Sequence, residues 1–291
     1  MAKIVHKQVL AQDIKRLDVA AAAIAAKVLP GQFVMVTPAA GMHNIPMTVV
    51  DADERRGVIS VIVHEVGVST RALGNLSIGE SLHKIVGPLG NPSAIDKYGT
   101  VACVATGIGA AQILPLCRAL KKKGNKVIGI VGAKSKKVLM LESQMRVVCD
   151  EIFITTNDGS YERRGLATGM LKELLVKYNI NRVYAIGSVE MMEAAAAMTK
   201  AKDIPLRVTL SPYMTNGLGT CGSCRVKVDG GFKLACVEGP EFDGHQVYFV
   251  DLNKRMHACE ELTWAQHNRL PSLKRPGLKT FVKSLWVSRK K

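Results

Sequence analysis

Between Thr100 and Lys200 the chain repeats one pattern four times: a short strand-like run, a few small or polar residues, then a stretch of helical periodicity. The runs cover residues 101–105, 127–131, 151–155 and 183–186, and the helical stretches cover 112–123, 137–148, 168–177 and 190–200. Mostly apolar runs of this length describe strands covered on both faces. Strands that alternate with helices pair in parallel, because a parallel neighbour is reached only through a crossover. The pattern therefore predicts a doubly wound parallel sheet, and with it the place of a ligand, since ligands of open α/β sheets sit outside the carboxyl ends of the strands. Those ends read Thr106-Gly107-Ile108-Gly109-Ala110-Ala111, Gly132-Ala133, Asn157-Asp158-Gly159-Ser160 and Gly187-Ser188. The first turn lets a helix N-terminus face a phosphate. It is not a full G-x-G-x-x-G, and many parallel sheets carry such a turn for packing alone. Four small or polar ends on one edge point to a dinucleotide site built from Thr106, Gly107, Gly109, Ala110, Gly132, Asp158, Gly159 and Gly187. Asp158 reads equally well as the cap of its own turn.

The residues ahead of this sheet have another texture. Runs at 33–37, 47–50 and 57–63 are separated by Pro30-Gly31-Gln32 and by the polar turn at 51–56, a spacing that suggests a small β-barrel. The breaker cluster Gly87-Pro88-Leu89-Gly90-Asn91-Pro92 marks its edge. Pro46-Met47-Thr48 places a hydroxyl at a strand start, suited to flavin N5, and Gly67-Val68-Ser69-Thr70 offers N–H groups and hydroxyls to a pyrophosphate. Each alone is a plain turn; their position ahead of a nucleotide domain makes them a candidate flavin site.

Beyond the sheet lies Asn216-x4-Cys221-x2-Cys224-x11-Cys236. With cysteine in place of Asn216, the first three positions would have the plant-type spacing of a [2Fe–2S] cluster. Gly217, Gly219 and Gly222 let the loop curl so that sulfurs and amides converge. A structural cysteine pair accounts for Cys-x2-Cys by itself, and zinc would need Cys259 to complete four sulfur ligands. Asn216 is a poor iron ligand, so the fourth ligand stays open.

Composition narrows the setting. Cys103, Cys117 and Cys149 are scattered in apolar segments, which is no disulfide framework and fits a reducing cytoplasm. The N-terminus has no signal-peptide pattern, and the alanine-rich segment at 19–28 is too short to span a bilayer. Of the net charge of +16, eight basic residues and no acid fall in 269–291. Such a segment could meet nucleic acid, an acidic membrane or an acidic protein, and its plain reading is a solvated extension that docks on a partner subunit. No aromatic–basic platform supports nucleic acid.

In this order the segments resemble the ferredoxin-reductase-like electron-transfer proteins. That family includes the electron-transfer subunit of dihydroorotate dehydrogenase and the small (alpha) subunit of the bifurcating NADH-dependent ferredoxin:NADP oxidoreductase, also called a sulfide dehydrogenase subunit. The likeness runs over residues 1–252 through Pro30-Gly31-Gln32-Phe33-Val34, Ile45-Pro46-Met47-Thr48, Val66-Gly67-Val68-Ser69-Thr70, Val86-Gly87-Pro88-Leu89-Gly90, Thr155-Thr156-Asn157-Asp158-Gly159-Ser160-Tyr161 and Cys236-Val237-Glu238-Gly239-Pro240-Glu241-Phe242-Asp243-Gly244, the last the most specific. It implies an FAD-binding β-barrel at 1–97, an NAD(P)-binding α/β domain at 98–210, a small [2Fe–2S] domain at 211–252 and a basic extension at 253–291. It implies FAD held by Pro46, Met47, Thr48, Val63, His64, Glu65, Gly67, Ser69 and Thr70, with Thr48 at the reacting atom. Cys221, Cys224 and Cys236 become cluster ligands. NAD(P)H is the electron donor, and a larger redox subunit with further flavin or iron–sulfur centres is the partner. Lys134, Lys136 and Lys137 suit a 2′-phosphate, whereas the resemblance points to NADH. The chain departs from the family at Asn44, where an arginine usually binds an FAD phosphate, at Ser188, where proline usually follows the glycine, near Gln112, where a proline often stands, and at Asn216, which aligns with an aspartate ligand. These departures keep two other readings open: a dihydroorotate dehydrogenase subunit, and a non-catalytic scaffold of a redox complex.

Overall fold

The structure, a computed structural model, describes residues 2–257. Cys259 and the basic segment 269–291 lie outside the described residues. The chain divides into compact units Met1–Asn253 and Lys254–Lys291, and the first holds every sheet and the cysteine loop.

The N-terminal strands β1 (Ile4–Ala11), β2 (Ile14–Ala20), β3 (Phe33–Thr37), β4 (Ile45–Asp53), β5 (Val58–His64) and β6 (Lys84–Leu89) form one antiparallel sheet in the order β1-β2-β5-β4-β3-β6. Helix α1 (Ala22–Ala25) follows β2, and α2 (Val68–Asn75) follows β5. A bridge between Lys3 and Ser81, with Leu82 N donating to Ala2 O at 2.8 Å, brings the start of β1 to the approach to β6, so the sheet curls into a barrel. Strand alternation sorts β5 into two faces. Ile59, Val61 and Val63 enter the barrel core with Leu17, Val34, Val36 and Leu73, while Ile62 joins Ile14 and Val50 in a second core shared with the α/β sheet. The last barrel strand, β6, ends at Leu89 inside the breaker cluster, and the next strand belongs to the other sheet. β6 runs through Gly87-Pro88, which an edge strand tolerates because a proline there withholds no ladder bond.

The second sheet is built from β7 (Thr100–Thr106), β8 (Lys126–Ala133), β9 (Glu151–Thr156), the two-residue β10 (Arg163–Arg164), β11 (Arg182–Ile186) and β12 (Leu206–Thr209), all parallel. The crossovers are α3 (Gly109–Lys122), α4 (Glu142–Val148), α5 (Ala167–Lys177) and α6 (Val189–Lys200). α4 has 7 residues and starts five positions later than the periodicity suggested. A 3-10 turn at Lys136–Val138 comes first, then Met140 and Leu141 bury themselves, Leu141 at a φ of 60° that no α-helix contains.

After β12, the hairpin β13 (Arg225–Val228) and β14 (Gly231–Leu234) turns at Asp229-Gly230, both with positive φ as a tight hairpin requires. β15 (Glu241–Asp243) then pairs antiparallel with β12, so the segment at 211–252 contributes a strand to the nucleotide sheet. Glu241 fixes this junction: its buried carboxylate accepts from Ser93 Oγ at 2.5 Å and from Arg207 Nε at 2.9 Å.

Candidate functional site

The strand order β10-β9-β8-β7-β11-β12-β15 reverses direction between β7 and β11, and a ligand crevice opens at such a switch. The chain there leaves no room for side chains. A Cβ on Gly109 would lie 2.2 Å from Ile186 O, and one on Gly187 would lie 2.0 Å from Thr106 Oγ1. The start of α3 is thereby pressed against the end of β11, with Thr106 Oγ1 accepting from Ser188 N at 3.3 Å. Ala110 is buried behind the turn. Gly132 sits over Thr106 and Thr155, and the buried Thr155 hydroxyl has no hydrogen-bond partner among the described residues. Asp158 spends its carboxylate on its own loop, accepting from Ser160 N at 2.9 Å, and this bonding holds it below the usual carboxylate range. Gly159 turns the same loop with a φ of 75°. Lys136 lies over the Tyr161 ring at 4.6 Å.

A cavity of about 270 Å³ opens where the barrel meets this crevice. Pro46, Met47, Thr48 and His64 line it from the barrel; Ile108, Ala111, Gln112 and Ile186 line it from the switch point; Leu210, Ser211 and Met214 line it from the segment leading to the cysteine loop. Gln112 Nε2 donates to Ser211 Oγ at 3.3 Å, linking two of these walls. The sequence-chosen residues divide here. Val63 points into the barrel core, one residue out of phase with His64. Glu65 pairs with Lys15 at 2.6 Å beneath α2. Neither lines the cavity. His64 does, and burial holds its imidazole below the ordinary histidine value, with Asp13 opposing and Lys134 reinforcing the shift.

Gly67 begins α2, and the first helical bond runs from Arg71 N to Gly67 O at 3.0 Å. The amides of Val68, Ser69 and Thr70 are therefore the helix's unbonded N-terminal donors, the arrangement that receives anions. Thr70 Oγ1 closes the turn, accepting from Gly67 N at 2.8 Å. Arg71, which the sequence did not single out, has a buried Nε with no hydrogen-bond partner among the described residues. An orphaned guanidinium nitrogen beside free helix amides fits a phosphate-bearing cofactor. Asn44 does something else. It accepts from Thr37 Oγ1 at 2.5 Å and donates to Thr215 O at 2.8 Å, tying the barrel to the cysteine loop.

In that loop the side chains form two pairs. Cys224 Sγ and Cys236 Sγ are 3.2 Å apart and buried; Cys221 Sγ is 3.4 Å from Asn216 Oδ1 at the surface. Among the described residues no three of His, Cys, Asp and Glu converge on a single ion, as a closed zinc site would require. Two separate pairs fit a cluster that distributes four ligands over two irons. The Ser223 hydroxyl and backbone N–H groups pull the Cys221 thiol down to about 7, whereas burial and the neighbouring Cys224 push Cys236 up to about 11. Gly217 seats the loop on the barrel, where a Cβ would strike Met35 Cγ at 2.7 Å. The loop thus lies next to the cavity that Met214 lines.

A flavin-type barrel, a doubly wound sheet and a cysteine loop on their shared edge define a ferredoxin-reductase-like redox protein. A family model described as the iron–sulfur cluster binding domain of dihydroorotate dehydrogenase B matches residues 211–248. A Thermotoga maritima protein, the dihydroorotate dehydrogenase B (NAD(+)) electron transfer subunit homolog, is 34% identical over 259 residues, covering 89% of this chain and 92% of that one. A chain of the NADH-dependent reduced ferredoxin-NADP oxidoreductase, solved for insight into flavin-based electron bifurcation, superposes with a TM-score of 0.86 at 32% identity, covering 92% of this chain and 98% of that one. Phthalate dioxygenase reductase shares the fold, with a TM-score of 0.55 at 17% identity over 78% of this chain and 85% of that one. The chain belongs to the family of dihydroorotate dehydrogenase B-type electron transfer subunits. It is an electron-transfer subunit of an oxidoreductase family, and FAD, a [2Fe–2S] cluster and NAD(P)H are the cofactors that go with this architecture. Among the described residues no helix is long and apolar enough to cross a membrane.

Proposed function

We propose that the chain is a flavin-dependent NAD(P)H oxidoreductase subunit that passes electrons to a larger redox subunit. The observation that carries this reading is the single cavity shared by Thr48, the α3 start at the switch point and the segment leading to the cysteine loop. When bound, FAD supplies acceptance of a hydride from the nicotinamide and release of its electrons one at a time, and the cluster carries them outward. The protein's part is positioning, since hydride transfer needs no side-chain acid or base. Thr48 presents its hydroxyl where the flavin N5 edge would lie. Met47, Pro46 and His64 wall the ring. The α2 amides, Ser69, Thr70 and Arg71 hold the pyrophosphate, and Arg71 takes up the charge that Asn44 cannot. Thr106, Gly107, Gly109, Ala110, Gly132, Asp158, Gly159 and Gly187 shape the nicotinamide dinucleotide crevice. Cys221, Cys224 and Cys236 hold the cluster. The domain limits we assign are 1–97, 98–210 and 211–252. The cytoplasm is the matching compartment, a reading supported by six free thiols among the described residues.

The partner we favour is of the ferredoxin–NADP oxidoreductase type, supported by the 0.86 superposition over nearly the whole chain. A dihydroorotate dehydrogenase partner is the second reading, favoured by the match at 211–248. Visible spectra of the anaerobically purified protein, recorded during titration with NADH and then NADPH, test the function. Flavin bands should bleach first and cluster bands after them. In Cys224→Ala the cluster bands and iron should disappear while the flavin still bleaches. A purified protein with neither set of bands would leave only the scaffold reading.

A further inference from the structure

Electrons and protons leave the cavity by different routes. Oxidation of NADH to NAD+ yields two electrons and one proton. An iron–sulfur centre carries the electrons alone, so the proton that entered with the hydride has to be taken up at the cavity. Among the described residues that line it, His64 alone has a titratable side chain. The other polar linings, Thr48, Ser93, Gln112, Thr209 and Ser211, are hydroxyls and an amide, which take no further proton at neutral pH.

His64 also stands at a way out. It is the last residue of β5 and pairs in register with Ile14, one position beyond the exposed Asp13. Glu65 N donates to Asp13 O at 2.8 Å, and Gln12 N donates to Lys137 O at 3.3 Å, so the β1–β2 turn is pinned between the end of β5 and the loop after β8. The charged groups that face the half-buried ring are Asp13 from this turn, Lys134 from the loop after β8, and Glu65, itself paired with Lys15. Burial and Lys134 keep the imidazole uncharged at neutral pH, ready to accept, while Asp13 and Glu65 favour the cation that forms when it does.

We propose that His64 is the proton acceptor of the reaction: when the electrons leave for the cluster, it takes up as a proton the hydrogen that NADH delivered as hydride, and releases it to solvent beside Asp13. The bond between that hydrogen and the cofactor breaks, its two electrons pass one at a time through the cluster to a one-electron acceptor, and an N–H bond forms on the imidazole. The imidazolium then gives the proton to water, which restores the neutral ring. The inference rests on the reading that the cavity holds a flavin and the loop a cluster.

The test follows NADH-reduced holoprotein in stopped flow as a one-electron dye reoxidises it over a pH series. NMR of the histidine-labelled holoprotein gives the His64 midpoint independently, its signal being the one lost in His64→Gln. Reoxidation should be slow below that midpoint and fast above it, and His64→Gln should lose the break. Asp13→Asn should move midpoint and break down together, and Lys134→Gln should move both up, a joint shift that a structural role for His64 does not produce. A break that persists in His64→Gln, or that stays in place while the NMR midpoint moves, overturns the proposal. Wild type that NADH bleaches but whose reoxidation has no break overturns the proposal alone. Wild type that NADH does not bleach overturns the flavin reading and the proposal with it.

Discussion

Replacing Gly109 by alanine tests the switch-point packing directly. The added Cβ would sit 2.2 Å from Ile186 O and 2.8 Å from Ile186 C, more than an ångström inside ordinary contact with the carbonyl oxygen. Both atoms are backbone of a central strand, so no side chain can swing aside, and the start of α3 has to lift off β11. Overpacking of this kind costs about 1–3 kcal/mol. Against it stands the gain from replacing a helical glycine by alanine, roughly 0.5–1 kcal/mol. Gly169 supplies the matched control. It lies in the first turn of α5, is exposed, and has nothing within 4 Å of an added Cβ. Gly169→Ala should therefore stabilise by about 0.4–1 kcal/mol, while Gly109→Ala should show no stabilisation and destabilise by up to about 2.5 kcal/mol after the offset. In a domain of this size each kcal/mol moves the melting temperature by about 2–4 °C. The assay is urea unfolding of both variants, paired with NADH and NADPH binding. Only Gly109→Ala should weaken binding, because only there does a helix start leave the crevice. Equal stabilisation by both substitutions, or undiminished binding in Gly109→Ala, would refute the packing account.

Further outcomes are specific. Thr48→Val should slow flavin reduction by a factor of roughly 2–13, the kinetic equivalent of losing one neutral hydrogen bond; stopped-flow traces matching wild type would remove Thr48 from the flavin edge. His64 has a folded pKa below its unfolded value near 6.5, so the unfolded chain takes up the proton first and stability should be complete above that pH and decline as pH falls through it. Urea midpoints between pH 8 and 5 should fall less steeply in His64→Gln, and parallel curves would show that another group governs the decline. Asn44→Ala removes the Thr37–Asn44–Thr215 bridge; about 0.5–1.5 kcal/mol per bond should be lost, with faster amide exchange at 215–217 and unchanged exchange in α5. Arg71→Ala should raise the dissociation constant for FAD, measured by apoprotein titration, and Arg71→Lys should restore it only in part.

Elements set by local chemistry were readable from the sequence. Strands β7, β8, β9 and β11 carry the mostly apolar runs that the sequence showed, bounded by polar or charged ends. Of the three cysteines that the spacing singled out, the structure brings Cys224 and Cys236 together, while Cys221 stands at the surface beside Asn216 and Ser223. The edges of the barrel were less legible. β1 and β2 carry mixed charged and apolar residues because one face meets solvent, and β6 contains the proline that read as a stop. The site divides in the same way. Thr48, the glycine turns and the cysteine loop declare themselves by residue type and spacing. Which face Val63 and His64 take depends on strand phase, and a one-residue difference sends one into the core and the other to the cavity. Met214 and Arg71 gave no signal in the sequence, since a methionine and a helical arginine are ordinary until distant segments surround them, and Gln112 stood out only as a departure from the family's proline. Residue order was enough to dictate the kinds of element and the chemistry each one carries. Folding in three dimensions settled which of them share a cavity and how the cysteine-loop side chains pair, because those relations are distances between residues far apart in the chain, fixed only when the barrel, the sheet and the loop pack together.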